Sequence, residues 1–510
     1  MKRRLLAAVA AIGAVALTAT ACGGGGGAGG GGGDNGGGEG VQPGDPITWM
    51  ATLHTPATPD PNGPIQTALE EYTGVEFDIE WVPAANTSEK LNAVLASNTL
   101  ADLTSLNQVG NSSVRTALSS GMFWDVEPYL SEFDNLSQID PLTIDAARVD
   151  GGLYGVPFQK PLARYGVLVR QDWLDNLGLE VPHTLDELAE VAQAFTHDDP
   201  DGNGQDDTTG FIDRLESFSL GFRILSGYFG AGDTFVVDEN GEFQAAFASE
   251  EFKEAMAWYK DVYDSGAVNQ EFITTQKSNQ QDMIAQDRGG IVVTGLFEAR
   301  NYVNLARNAD PDSPMEWALV NDMTWGDVER RIISDTAGGM GGLLAISKQN
   351  VPTEEGLRYI LGFVDSLLDE EPFGLMTNGV EGTHYEEDGE GVITITDQNS
   401  WEQQVQPYSS SRPADQVVLY PTNDEYTNLS NELMAENAEY AVTNPAQPLT
   451  SDTFDTQWST IFEAAQDAYF KYMVGQLDMA GYEAAIEALG GQGLDAVLAE
   501  FGESYAAVNG

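Results

Sequence analysis

Apolar and polar positions fall into strand, helix, strand blocks from residue 47 onward. Ile47-Thr48-Trp49-Met50 reads as a short buried strand, and the Pro-rich stretch Thr55 to Pro61 follows as a loop. Apolar residues recur at helical spacing from Ile65 to Tyr72, and Gly74 ends that helix because a residue without Cβ closes a helix at least strain. Val75 to Trp81 alternates with period two, as a strand with one buried face does. A helix from Ser88 to Ser97 and a strand from Ala101 to Leu106 complete the series. This order predicts an α/β lobe with a largely parallel sheet.

A second set of blocks predicts another lobe. Gly166-Val167-Leu168-Val169-Arg170 reads as a crossing strand. Thr184 followed by Glu187 is a capping box, and Leu185, Leu188, Ala192 and Phe195 then share one helical face. Phe252, Met256, Tyr259 and Tyr263 make a second stripe, which is more often core than ligand site. Gly290 to Thr294 and Leu343 to Ser347 are strands, separated by the glycine-rich turn Gly338-Gly339-Met340-Gly341-Gly342. Helices fill Asp455 to Val508. The expected division is 45–160 plus about 290–345 for the first lobe, and about 161–289 plus 346–510 for the second.

The N-terminus has a different pattern. Met1-Lys2-Arg3-Arg4 is basic, Leu5 to Leu17 is mostly apolar, and the small residues Thr18-Ala19-Thr20-Ala21 lead into Cys22, the chain's one cysteine. That order marks a secretory signal over 1–21, and its apolar part is shorter than the roughly 20 residues a membrane span needs. A cysteine directly after the small residues is the pattern of a bacterial lipoprotein, cleaved before Cys22 and lipidated there, although a larger aliphatic residue is usual at Ala19. The nearly all-glycine stretch that follows cannot bury apolar surface, so 22–44 reads as a flexible tether. These features place the mature protein on the outer face of the cell membrane, held by lipid alone.

Composition sharpens this picture. Of 510 residues, 80 are acidic and 23 basic, a formal charge of −57, which disfavours nucleic acid and anionic membrane surfaces as partners. Such acidity fits a salt-loving or alkaline habitat, or solvated faces on an ordinary secreted protein. With one cysteine, an internal disulfide is impossible.

Three stretches carry a specific resemblance. The first runs from Gly155-Val156-Pro157 through Val169-Arg170-Gln171-Asp172-Trp173-Leu174 to the capped helix. The second is Thr377-Asn378-Gly379-Val380-Glu381-Gly382-Thr383-His384-Tyr385, and the third Phe470-Lys471-Tyr472-Met473-Val474-Gly475 with the terminal helices. Over about residues 45 to 508 the chain resembles the extracellular solute-binding lipoproteins of ABC sugar importers, in the long branch that includes alginate-binding proteins. The resemblance implies two α/β lobes joined by hinge crossovers, a periplasmic-binding-protein-like fold with a helical C-terminus. It further implies a monomeric receptor that captures an oligosaccharide between its lobes and passes it to permease subunits.

A glycan cleft needs aromatic rings beside directional polar groups. Loops after strands offer Asn107, Gln108, Gln159, Arg164, Tyr165, Phe297 and Glu298, and a later cluster offers Trp401, Tyr408 and Arg412. His384 and Tyr385 belong to the resembling motif. The overall charge favours a neutral oligosaccharide, which Lys160, Arg164 and Arg412 could reverse locally. Asp199-Pro200-Asp201-Gly202-Asn203-Gly204-Gln205-Asp206-Asp207 matches the first half of an EF-hand loop. Asp199, Asp201, Asn203, the Gln205 carbonyl and Asp207 would hold a structural calcium, although Gly210 replaces the closing Glu, and Thr208 stands where some resembling proteins carry an acid. A secreted glycoside hydrolase and a calcium-dependent adhesin are the alternatives. Neither has a supporting signature: no glycine-flanked serine elbow, no histidine pair at metal spacing and no repeats.

Overall fold

The computed structural model describes residues 40–55, 58–107, 109, 112–415 and 417–509. The expected signal, Cys22 and most of the glycine tether lie outside them. Among the described residues, no helix is long and apolar enough to cross a membrane.

Two sheets organise residues 40–510. The first has five strands in the order Phe77–Pro83, Ile47–Leu53, Leu103–Leu106, Met340–Ile346, Val156–Gln159. Ile47–Leu53 is buried at six of its seven positions because it pairs in parallel on both sides and is covered on both faces. The second has four strands in the order Trp317–Val320, Tyr165–Arg170, Gly289–Gly295, Thr209–Phe211.

Each sheet has all its strands but one running the same way. In the first, Met340–Ile346 runs against both neighbours; in the second, Tyr165–Arg170 does. The cause is shared. Each is the strand by which the chain arrives directly from the other sheet, so it starts at the edge where its neighbours end. All other strands in both sheets point their carboxyl ends at that edge.

The expected lobe boundaries need correction on sheet membership. Gly289–Gly295 pairs with Tyr165–Arg170, Tyr165 opposite Gly295, and Trp317–Val320 pairs on the other side, so 289–320 belongs with the second sheet. Conversely, the helix Glu354–Ser366 buries Leu357, Ile360, Leu361 and Val364 in the first sheet's core, as do Met376, Val405 and Tyr408 further on. Both lobes read as strand and helix blocks, so periodicity alone does not say which sheet a strand joins.

The individual elements follow their sequence signals closely. The helix Pro64–Thr73 ends at Gly74 with φ 67°. Thr184 and Glu187 make both halves of the capping box on Leu185–His197. The second sheet is covered on one face by Glu298–Ala309 and Glu425–Asn437. The C-terminal helices Asp452–Met473, Met479–Leu489 and Asp495–Asn509 close the largest core, where the tilted rings of Phe222 and Tyr469 lie 4.9 Å apart. Beside it, Arg170 is fully buried against the Trp173 ring and ion-paired to Asp172 at 2.6 Å and Asp287 at 2.8 Å.

Candidate functional site

The strand ends of both sheets face one another across a cleft, the place where open α/β sheets bind ligands. One cavity there, of about 520 Å³, is walled by both lobes. The second lobe contributes Arg164, Phe297, Thr427, Asn431 and Met434; the first contributes Thr377, Asn378, Trp401, Gln406, Arg412 and Tyr420. Further hollows beside Val508 and Glu500 sit against the C-terminal helix and gather none of the expected site residues.

Local structure explains how these side chains reach the cavity. Arg164 stands just before the crossing strand, and Asp335, on the return crossover, takes hydrogen bonds from its backbone N at 2.8 Å and its Nε at 2.9 Å. That buried carboxylate aims the guanidinium over the exposed ring of Phe297, 5.6 Å from its centroid. Phe297 sits directly before the helix Glu298–Ala309. Opposite them, Pro413 and Asp415 hydrogen-bond to the backbone of Gln159, which fixes Arg412 beside the first sheet. Trp401 on the helix Gln398–Gln404 donates its Nε1 to the Thr377 carbonyl at 3.0 Å.

Among the described residues Arg412 makes no ion pair, although the Asp415 carboxylate is close enough to act on its charge. Its guanidinium lies 4.6 Å from the Phe373 ring centroid, and it donates to Thr377 Oγ1 and to the Asp415 carbonyl. Burial pulls its pKa below the ordinary arginine value. Its Nε is buried and has no hydrogen-bond partner among the described residues. The nearby Asp415 carboxylate is already paired with Lys160 at 2.7 Å.

The other expected residues take different places. Gln159 and Tyr165 sit at the cleft edge, but Tyr165 is part-buried against the large core, and burial raises its hydroxyl pKa. Glu298 is buried and engaged by Lys277 at 2.8 Å. Asn107 donates to Thr52 Oγ1 at 3.1 Å, and Gln108 lies outside the described residues. Tyr408 does not line the cavity: it is buried edge-on to Trp81, 5.5 Å away. His384 is fully buried, its Nδ1 accepting from Val380 N at 2.9 Å, so it supports the motif's turn. Tyr385 lies half-buried in a small hairpin with Ile395. Asp335, Asn378, Tyr420 and Asn431 were missed. Asp335 bonds to Arg164, 171 positions away, and Asn378 lies in the quoted stretch with His384 and Tyr385 without having been singled out.

The acidic loop is ordered by its own hydrogen bonds. Gly204 N donates to the Asp199 carboxylate at 3.0 Å, and Gly202 and Gly204 take φ of 68° and 76°. Asn203 Nδ2 donates to Asp201 Oδ2 at 2.6 Å and to Asp207 Oδ1 at 3.3 Å, so its amide bridges two carboxylates. Partial burial, with Asp199 and Asp207 close by, raises the Asp201 pKa. Thr208 turns inward to the Phe195 carbonyl at 2.8 Å. The oxygen-rich donor set suits calcium, but among the described residues no three acidic, His or Cys side chains are arranged as a metal site.

A cavity between two α/β lobes, with rings and hydrogen-bonding groups from both, defines a solute-binding protein. Comparison with known proteins agrees. Residues 65–335 match the bacterial extracellular solute-binding protein family. The polygalacturonan/rhamnogalacturonan-binding protein YtcQ of Bacillus subtilis (strain 168) is 34% identical over 461 residues, covering 90% of this chain and 91% of that one. Lipoprotein LipO of the same organism is 30% identical over 452 residues, covering 87% and 89%. The crystal structure of an extracellular solute-binding protein from Bifidobacterium longum subsp. infantis shares the fold, with a TM-score of 0.69 at 19% identity over 91% of this chain and 98% of that one. The chain belongs to the bacterial extracellular solute-binding protein family, whose members bind solutes and are not enzymes.

Proposed function

We propose that the protein is a lipid-anchored receptor that captures an oligosaccharide in the interlobe cleft and delivers it to an ABC permease. The observation that carries this reading is the composition of the cavity. Phe297 on one lobe and Trp401 and Tyr420 on the other offer rings for the C–H faces of sugars. Arg164, Asn378, Gln406 and Asn431 offer directional partners for hydroxyls. The polysaccharide-binding relative YtcQ supports a glycan as the ligand. Two connections between sheets, at 160–164 and 334–339, run side by side: Ser334 Oγ donates to the Leu162 carbonyl at 2.6 Å, and Thr336 Oγ1 to the Pro161 carbonyl at 2.9 Å. These tied crossovers suit a hinge, and ligand shifts such a hinge only by preferring the closed form. The test is thermal melting of the full-length protein against neutral and acidic oligosaccharides. A ligand at 100 times its dissociation constant adds about 2.7 kcal/mol. A saturable rise with the glycan recovered intact supports the receptor; release of reducing ends supports a hydrolase instead.

Two further features complete the reading. Lipid on Cys22, with the glycine tether after it, would hold the body near the membrane; mass spectrometry of the mature N-terminus tests this, and an unmodified Cys22 contradicts it. Calcium in the 199–207 loop would be structural, held by the carboxylates of Asp199, Asp201 and Asp207, the Gln205 carbonyl, and the Asn203 side-chain oxygen after its amide turns. Calorimetry with calcium should show binding that Asp199→Ala abolishes; absence of binding removes the site.

A further inference from the structure

A smaller hollow adjoins the interlobe cavity. It measures about 160 Å³ and lies between the helix Pro141–Ala147 of the first lobe, the crossover at 160–162 and the end of the helix Glu425–Asn437. Pro161 and Met434 line both spaces. One ion pair stands between them: Asp415 lines the larger cavity, Lys160 lines the hollow, and Lys160 Nζ meets Asp415 Oδ1 at 2.7 Å. A cavity of about 150 Å³ holds a benzene ring, so the hollow has room for one ring and no more. Asp140, Thr143 and Gln159 bring polar groups to its wall.

Both members of the pair are fixed by their surroundings. Lys160 N donates to the Gly339 carbonyl at 2.8 Å, and Asp415 N to the Gln159 carbonyl at 2.8 Å. The lysine stem crosses Gly341 so closely that a Cβ there would come within 2.6 Å of Lys160 Cε and 3.0 Å of its Cγ. Here the glycine-rich turn forms a bed for the stem. The charges add little to this, since both side chains are 30% exposed. Packing holds the lysine across the gap.

Resting on the oligosaccharide reading above, we infer that Lys160 sets the length of glycan the receptor grips. Its stem, steadied by Asp415, closes the cavity at the end beside the crossover and keeps the terminal sugar out of the hollow. A solute then gains contacts sugar by sugar until its end meets the lysine, and gains nothing beyond. A side chain placed where one more unit would sit discriminates by clash, which selects length without touching the sugars already bound.

Calorimetric titration of the full-length protein tests this with size-sorted fragments, disaccharide to hexasaccharide, of polygalacturonan, β-1,4-galactan and maltodextrin. The parent should gain affinity with each added sugar up to one length and then level off. Lys160→Ala should level off one sugar later, that last sugar tightening binding about fivefold or more. Lys160→Met keeps the volume of the stem without its charge and should level off where the parent does. Lys160→Ser gives the same reading should the alanine variant fail to fold. An unchanged limit in the opened variant, with or without a uniform loss of affinity, makes the pair a structural tie and overturns the inference while the receptor stands. A limit that moves equally in Lys160→Met assigns the barrier to charge and overturns the partition by volume. Affinity that climbs through the hexasaccharide without levelling shows no end wall and overturns it too. Binding of no fragment overturns the inference and the oligosaccharide reading together.

Discussion

Arg170 is fully buried and Arg412 part-buried, both lie against aromatic rings, and their charges are met in different ways. Arg170, at the end of a strand in the second lobe, is satisfied by Asp172 and Asp287 and sandwiched by Trp173 and Trp317. Arg412, at the cleft face of the first lobe, has Phe373, a threonine hydroxyl and a carbonyl, but no acid among the described residues. A buried charge with its counter-charge in place is a structural element.

The largest effect should come from breaking the complete pair. Arg170→Met leaves Asp172 nearly buried without its cation, and urea unfolding should show a loss of about 3 kcal/mol. Asp287 is more exposed and adds little. Asp335→Asn comes next. It removes a buried carboxylate that positions Arg164, at an expected cost of about 1–2 kcal/mol, and should weaken solute binding as well. Arg412→Met should change stability by less than about 1 kcal/mol in either direction, since Met keeps the packing on Phe373 and no acid is orphaned. A loss of 3 kcal/mol at Arg412 would erase the contrast with Arg170.

The smallest effect concerns a carboxylate satisfied by neutral donors. Glu500 accepts hydrogen bonds from Ser451 Oγ at 2.5 Å and Thr453 Oγ1 at 2.6 Å, which hold its pKa below the ordinary 4.5. Its stabilisation is therefore complete above about pH 4.5 and is lost as pH falls through the depressed value. Stability measured from pH 6 downward should fall more for the parent than for Glu500→Gln; parallel curves would show that this contact contributes nothing.

Much of the fold is legible in the chain. Helical spacing and the Thr184–Glu187 box locate Leu185–His197, and alternation locates the strand Phe77–Pro83. Sheet membership is not legible, because Gly289–Gly295 finds Tyr165–Arg170 only through long-range register. For the site, Arg164 and Phe297 were readable in loops after strands and Trp401 and Arg412 in a later cluster, and the structure brings them to one cavity. Tyr408 and His384 have the same chemistry but are taken up by the core: one packs on Trp81, the other bonds to Val380. Burial, which sequence does not show, separates the two groups. Asp335 was invisible because its meaning comes from Arg164, 171 positions away.

The most direct test of the central claim, a solute held between the lobes, is titration of an oligosaccharide ligand into Phe297→Ala and Trp401→Ala separately. These rings line the cavity from different lobes. The account predicts that each substitution alone weakens binding several-fold to tenfold while unfolding stays near the parent. Binding that depends on one ring and ignores the other would place the solute on a single lobe and contradict it.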